Sequence, residues 1–210
     1  MSFRILLADD HQIVREGIKS LLEQKGFSVV AEASEGHEAI RLAKELHPDA
    51  AVLDLGMPLV NGISAAREIL RDSPKMKIIL LTMHTDEHYV LDALQAGVTG
   101  YVVKTEAGSD LIRALNDVLN GSTYLSSRVS RAIVQAYLEK RDIVPDPLTG
   151  RERQVLQLIA EGKTTKEVAS LLGISAKTAE AHRTKIMNKL ETHGTAGLVR
   201  YAIRRGLIQP

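Results

Sequence analysis

The chain has 210 residues, 44% of them hydrophobic and 25% charged, ordinary proportions for one large or two modest globular domains. It has no cysteine, no apolar run near the roughly 18 residues that cross a bilayer, and an N-terminal apolar stretch too short for a signal peptide. This excludes disulfides, thiolate metal sites and a membrane role, and a cytoplasmic protein is expected. The net charge of +1 is a cancellation: residues 1–125 carry 12 Lys+Arg against 18 Asp+Glu, and residues 126–210 carry 15 against 8. Such asymmetry points to nucleic acid on the basic side.

Along the first half, short β-branched and apolar runs predict strands at Arg4–Ala8, Ser28–Ala33, Ala50–Leu53, Lys77–Thr82 and Thr99–Val103. Between them, apolar residues at helical spacing predict helices at His11–Lys25, Glu35–Leu46, Gly62–Arg71, Glu87–Ala96 and Gly108–Leu119. Strands alternating with helices imply a parallel sheet covered on both faces. The fold class expected is α/β, a doubly wound five-stranded parallel sheet over residues 1–122. Residues 123–147 read as a linker with one helix, Arg128–Lys140, closed by Pro145-Asp146-Pro147, where proline discourages continuous helix. The remainder, 148–210, reads as a small all-α domain with helices at Gly150–Glu161, Thr165–Leu172, Ala176–Leu190 and Thr195–Arg205.

In a doubly wound sheet, ligands bind beyond the carboxyl ends of the strands. Those ends carry Asp9-Asp10, Asp54, Thr82 and Lys104. Clustered carboxylates repel one another and call for a cation, and an all-oxygen set selects a hard one such as Mg²⁺. Lys104 is a compact charge suited to a phosphoryl oxygen, Thr82 can donate a hydrogen bond to another, and a carboxylate is a competent phosphoryl acceptor.

Taken in order, Asp9-Asp10, Asp54 within VLDLGMP, Met57-Pro58 and Gly62, then Thr82 and Lys104, the sequence resembles the receiver domain of two-component response regulators over residues 1–122. The resemblance implies that Asp54 accepts a phosphoryl group from a histidine kinase. It implies metal ligation by Asp10, Asp9, Asp54 and the backbone carbonyl of Gly56, phosphoryl binding by Lys104 and Thr82, and a switch role for Tyr101, which turns inward as Thr82 moves. Two departures are visible. Thr105 stands where many receivers have proline, so a trans Lys104–Thr105 bond is expected. Gly56 puts no side chain beside the acyl phosphate, whereas His84 is available from the other side.

In the basic half, LTGRERQVLQLIAEGKTTKEVASLLGISAKTAEAHRTKIMNKL predicts two helices joined across Leu172-Gly173-Ile174-Ser175, with Ser175 capping the second. Ala179, His182, Ile186 and Leu190 share the inner face of that second helix, and its outer face is polar and basic, as the major groove requires. Leu148-Thr149, Arg151-Glu152, Ala160-Glu161-Gly162, Lys166-Glu167-Val168-Ala169, Ile174-Ser175, Thr178, His182 and Lys189-Leu190 resemble the LuxR/NarL class of helix-turn-helix domains. Carried over by position, Lys177, Glu180, Ala181 and Thr184 face bases, and Lys166, Thr178, Arg183, Lys185 and Lys189 contact phosphates. Thr195–Arg205, with Leu198, Val199 and Ala202, is available to pair two copies, with packing inside its own domain as the competing use.

The reading is a response regulator, not an enzyme beyond self-phosphorylation from a donor and autodephosphorylation. Mg²⁺-dependent phosphorylation of Asp54 switches homodimerisation and binding to double-stranded DNA. Two alternatives stay open. One is a constitutive DNA-binding regulator whose receiver works without phosphorylation. The other is a phosphatase using Asp54, disfavoured because Gly56 stands where its general acid belongs.

Overall fold

The structure, a computed structural model, describes residues 2–83, 85, 87–138, 146–205, 207 and 208. The expectations placed on His84, Pro145 and the end of the linker helix at 139–140 lie outside the described residues. The chain divides into two compact units, Met1–Asp142 and Ile143–Pro210.

The first unit alternates strand and helix: β1 (Arg4–Ala8), α1 (Gln12–Gln24), β2 (Ser28–Ala33), α2 (Gly36–Leu46), β3 (Ala50–Asp54), α3 (Gly62–Asp72), β4 (Lys77–Thr82), α4 (Glu87–Gln95) and β5 (Gly100–Val103). A short 3-10 turn at Lys104–Glu106 leads into α5 (Ala107–Leu119), followed by β6 (Tyr124–Leu125) and α6 (Ser127–Leu138). The sheet order is β2-β1-β3-β4-β5-β6, with every pair parallel. Alternation along each strand sorts the core into two layers. Leu6, Ala51, Leu53, Ile78, Leu80 and Tyr101 pack toward α2, α3 and α4. Ile5, Leu7, Val52, Ile79, Leu81 and Val102 pack toward α1 and α5. Strands buried on both faces read as continuously apolar runs, which is why Ile5–Leu7 and Ile78–Leu81 carry no polar residue.

The five-stranded expectation is corrected to six. Tyr124–Leu125 pairs with Gly100–Tyr101 at the sheet edge, and two residues are too few for period-2 alternation to show in a sequence. The segment expected to link the domains also begins as part of the first unit. Val129 of α6 is fully buried in the core that contains Tyr101 and Val90, and Leu125 and Ile133 pack against it.

The second unit holds α7 (Gly150–Ala160), α8 (Thr165–Leu171), α9 (Ala176–Lys189) and α10 (Thr195–Arg204). Its helix starts follow directly from sequence. Thr149 with Glu152 and Thr164 with Glu167 form capping boxes, and Ser175 accepts from the Thr178 N–H at 3.0 Å. Gly173, at φ +62°, lets the chain turn tightly between α8 and α9. Leu198 and Ala202 are fully buried within this unit, and α10 packs on α7. Of the three residues expected to be available for pairing copies, only Val199 is half-buried. Among the described residues, no helix is long and apolar enough to cross a membrane.

Candidate functional site

The sheet register brings the predicted residues together. Ala8, which precedes Asp9-Asp10, lies opposite Leu53, Asp54 lies opposite Leu81, and Thr82 lies opposite Val103, which precedes Lys104. Asp9, Asp54, Thr82 and Tyr101 are each at most 2% exposed. Lys104 Nζ sits between two carboxylates, 2.8 Å from Asp9 Oδ2 and 2.9 Å from Asp54 Oδ1. The Lys104–Thr105 bond is trans, since the described residues contain no cis peptide.

Local sequence explains why Asp54 stands where it does. After β3 the chain must turn back into α3, whose first residue, Gly62, passes against the Asp54 carbonyl so closely that a Cβ there would collide with it. The Gly62 N–H then donates to the Leu55 carbonyl at 3.1 Å, and Asn61 caps α3 through the Ser64 N–H at 2.9 Å. Asp54 is thereby held at the edge of the pocket by the Met57-Pro58…Gly62 segment that follows it.

Burial pushes the Asp54 carboxyl above its ordinary value, and the Lys104 charge opposes this without cancelling it. Burial pulls the Lys104 ammonium down, but Asp54 and Asp9 outweigh it and hold its value above the ordinary one. Asp54 Oδ2 is buried with no hydrogen-bond partner among the described residues. A buried carboxylate oxygen left without a donor is costly, and it is also an acceptor in waiting. Asp9, Asp10, His11 and Asp54 bring ligand atoms within 4.8 Å of one another. The three carboxylates of this set suit a hard divalent cation, whereas the His11 imidazole does not select for one. The sequence reasoning missed His11, whose Nδ1 lies 2.8 Å from Asp10 Oδ1 and 3.3 Å from Asp9 Oδ1. Its signal was the uninterrupted run Asp9-Asp10-His11.

Tyr101 is 1% exposed and packs in the core, so the expected switch side chain already lies inside the unit.

In the second unit, α9 presents Lys177, Thr178, Glu180, Ala181, Thr184 and Lys185 to solvent, and Lys166 is exposed on α8. Ala179 and Ile186 are buried beneath them. Several of these groups are already engaged. Glu180 accepts from the Thr165 hydroxyl at 3.0 Å, the Thr178 hydroxyl lies 2.8 Å from Ser175 Oγ, and half-buried Arg183 donates to Thr195 Oγ1 at 2.8 Å. Lys189 departs furthest from the phosphate role expected of it. Its Nζ donates to Glu152 Oε2 at 2.7 Å and to the Pro147 carbonyl at 3.1 Å. Glu152 is 5% exposed, so Lys189 is its counter-ion. Burial would raise the Glu152 carboxyl, but Lys189 and the Thr149 capping bonds prevail and hold it below its ordinary value. The start of the unit is fixed as well: Asp146 accepts from the Tyr201 hydroxyl at 2.8 Å and from the Leu148 N–H at 2.9 Å.

Comparison with known proteins agrees with this division. Residues 5–116 match the response regulator receiver domain family, and residues 146–202 match the luxR family of bacterial regulatory proteins. The transcriptional regulatory protein MctR of Rhizobium johnstonii is 34% identical over 206 residues, covering 98% of this chain and 95% of that protein. The response regulator UvrY of Escherichia coli K12 is 36% identical over 206 residues, covering 97% and 94%. Among solved structures, one of the Salmonella typhimurium RcsB response regulator, described for its conformational dynamism for DNA interaction, superposes with a TM-score of 0.70. It is 30% identical and covers 97% of this chain and 98% of its own.

Proposed function

The chain belongs to the luxR-family response regulators, a receiver domain followed by a LuxR-type DNA-binding domain, and from that premise we propose that Asp54 is its phosphoacceptor. The observation that carries this is Lys104 bridging Asp9 and Asp54 while the second oxygen of Asp54 stays buried and without a partner among the described residues. The pocket holds an acceptor atom with no competing hydrogen bond from the described residues, beside a cation that can follow a transferred phosphoryl group.

The donor is a phosphohistidine of a kinase. An Asp54 oxygen forms the new P–O bond as the P–N bond breaks, and that electron pair leaves with the histidine nitrogen. Lys104 transfers its contact from the carboxylate to a phosphoryl oxygen, and Thr82 donates to another. Asp10, Asp9, Asp54 and the Gly56 carbonyl would hold Mg²⁺, which neutralises charge on the transferring phosphoryl group when bound. The chemistry ends at phosphorylation and dephosphorylation of the protein itself, in keeping with a family of regulators and not of classical enzymes.

The output is sequence-specific binding to double-stranded DNA in the cytoplasm by a homodimer. Glu180 is the informative base reader, because a carboxylate can accept from cytosine N4 but repels phosphate. Lys166 and Lys185 are the phosphate contacts with the fewest internal ties. The constitutive alternative draws on Tyr101, which is buried where the switch would bring it.

The test is to incubate the full chain with Mg²⁺ and acetyl phosphate, locate the modification by mass, and measure dimerisation and duplex binding. Modification at Asp54 with tighter binding supports the proposal. Strong binding unchanged by modification supports the constitutive alternative, and no modification at Asp54 refutes the assignment.

A further inference from the structure

Arg15 stands one turn inside α1 and takes no part in the phosphoryl transfer. Its side chain is 17% exposed. Nη1 donates to the backbone carbonyl of Asp9 at 2.6 Å, and Nε lies 3.5 Å from Glu32 Oε2 on β2. The other Glu32 oxygen accepts from Lys19 Nζ at 2.6 Å. The Asp9 N–H donates to the carbonyl of Ala33, the next residue along β2, at 3.1 Å. The Asp9 backbone is therefore tied to the neighbouring strand directly through its N–H, and its carbonyl is held by Arg15, whose Nε makes no hydrogen bond among the described residues and meets Glu32 only as an ion pair.

The hold on the carbonyl has a geometric consequence. A peptide group is planar, so holding the Asp9 carbonyl also fixes the plane that carries the Asp10 N–H and the direction in which Asp10 departs. The Asp9 carboxylate is oriented independently, by Lys104 and by the His11 N–H at 2.9 Å. The Asp10 side chain is 32% exposed and meets the half-exposed His11 ring, so its direction depends more on the backbone that presents it.

We propose that Arg15, held by Glu32, is a positioning residue for the acidic pair: it sets the Asp9–Asp10 peptide so that both carboxylates are arranged for a divalent cation before one arrives. This rests on the reading of the pocket as a cation and phosphoryl site. Outer residues that orient ligands in this way tune metal affinity without touching the metal.

Charge and position predict opposite signs for Arg15. It is a cation beside a site for a dication, so by charge alone its removal tightens metal binding. By position, its removal loosens binding. The experiment is a calorimetric Mg²⁺ titration of the full-length wild type, Arg15→Met, Arg15→Lys and Glu32→Gln. It is paired with thermal midpoints of the metal-free proteins and with phosphorylation by acetyl phosphate across a range of Mg²⁺ concentrations.

Arg15→Met is expected to weaken Mg²⁺ binding about tenfold, the scale seen for outer residues of metal sites. The Mg²⁺ needed for half-maximal phosphorylation rises by the same factor, and the rate at saturating Mg²⁺ stays near wild type. Arg15→Lys recovers part of the loss, since a lysine reaches the carbonyl but cannot also present a fork to Glu32. Glu32→Gln shifts affinity in the same direction by less. Tighter binding in Arg15→Met, or an affinity within about twofold of wild type, overturns the proposal whatever the thermal midpoint does. If Arg15→Met does not fold, unchanged Mg²⁺ affinity in Glu32→Gln overturns it. A wild type that binds no Mg²⁺ overturns the pocket assignment and this inference with it, whereas normal wild-type binding with an unchanged Arg15→Met overturns this inference alone.

Discussion

The carboxyl edge of the first unit and the helix-turn-helix of the second treat local preference in opposite ways. In the second unit three of the four described helix starts obey it: α7 and α8 open on capping boxes, Ser175 caps α9, and only α10, at Gly194, lacks a side-chain cap, while the buried Glu152 has a counter-ion. At the carboxyl edge of the first unit, preference is overruled. Asp9 and Asp54 are buried around one lysine, Asp54 keeps an oxygen with no partner among the described residues, α1 begins at His11 without a side-chain cap, and Leu59 takes φ +65° in the loop after Asp54. A pocket arranged in advance for a ligand holds such conflicts. A surface that meets DNA through exposed side chains needs none. Stability and function should therefore oppose each other in the first region and be separable in the second.

Asp54→Asn tests this hardest and carries the largest expected effect. Phosphorylation by acetyl phosphate, read by mass, should disappear. The metal-free variant should nevertheless be more stable than wild type by about 1 kcal/mol, because a carboxylate whose value burial raises is replaced by a neutral group of the same shape while Asp9 stays beside Lys104. That corresponds to a midpoint rise of about 2–4 °C for a chain of this size. The pH dependence follows from the raised Asp54 value, caused by burial and only partly offset by Lys104. The folded wild type binds this proton more tightly than the unfolded chain does, so its stability falls as pH rises from the ordinary carboxylate value through the raised one. The advantage of the variant should be full at neutral pH and vanish on acidification into the ordinary carboxylate range. A lower midpoint for the variant at neutral pH would mean that stranding Lys104 outweighs relief of Asp54.

In the second unit, two lysines on one helix should separate. Lys189→Ala leaves buried Glu152 without its counter-ion and should lower stability by about 1–3 kcal/mol, measured by thermal melting. The Glu152 value is depressed, chiefly by Lys189 and Thr149 against burial. Its contribution is therefore present above the ordinary carboxylate value and lost as pH falls through the depressed one, and the gap between wild type and variant should close in acid. Lys185→Ala should leave the midpoint unchanged and weaken DNA binding a few fold across all sequences. Its log–log salt slope should become shallower by about 0.9, because one fewer phosphate charge is neutralised. If both lysines change the salt slope alike, α9 is a uniform electrostatic surface and the division between them fails.

The same contrast explains what could be read from the sequence. Asp9, Asp54, Thr82 and Lys104 are legible together because a parallel sheet projects all its strand ends to one edge, so four separate strand assignments converge on one place. Ser175 was legible because capping is local. The fate of Lys189 was not, because its partner Glu152 lies 37 residues away and an amphipathic pattern gives a lysine's side of the helix but not its partner. Arg15 escaped notice for a related reason: its contact is to a backbone carbonyl, which has no signature in sequence. β6 is not legible because two residues make no period, and α6 reads as linker because Val129, its fully buried anchor among the described residues, reveals itself only against α4.

Leu59 is the subtlest place where local conflict can be measured. The Val60 N–H donates to the Pro58 carbonyl at 2.7 Å, closing a three-residue turn with Leu59 at its centre. A residue with a Cβ is strained at the centre of such a γ-turn, at a cost of about 1–3 kcal/mol. Asparagine adopts it more readily through hydrogen bonds to its own backbone, without the unfolded-state entropy that glycine would add. Leu59→Asn gives up some apolar packing, since the side chain is half-buried, so the net gain should be about 0.5 kcal/mol. It should be read from denaturant midpoints together with the phosphorylation rate. A gain in stability with a slower reaction would mean that the strained turn helps present Asp54, whereas a gain with an unchanged rate would confine its role to closing the loop into α3. A loss of stability would mean that the leucine contributes more by packing than its backbone costs, and would remove this turn from the conflicts that set the first region apart.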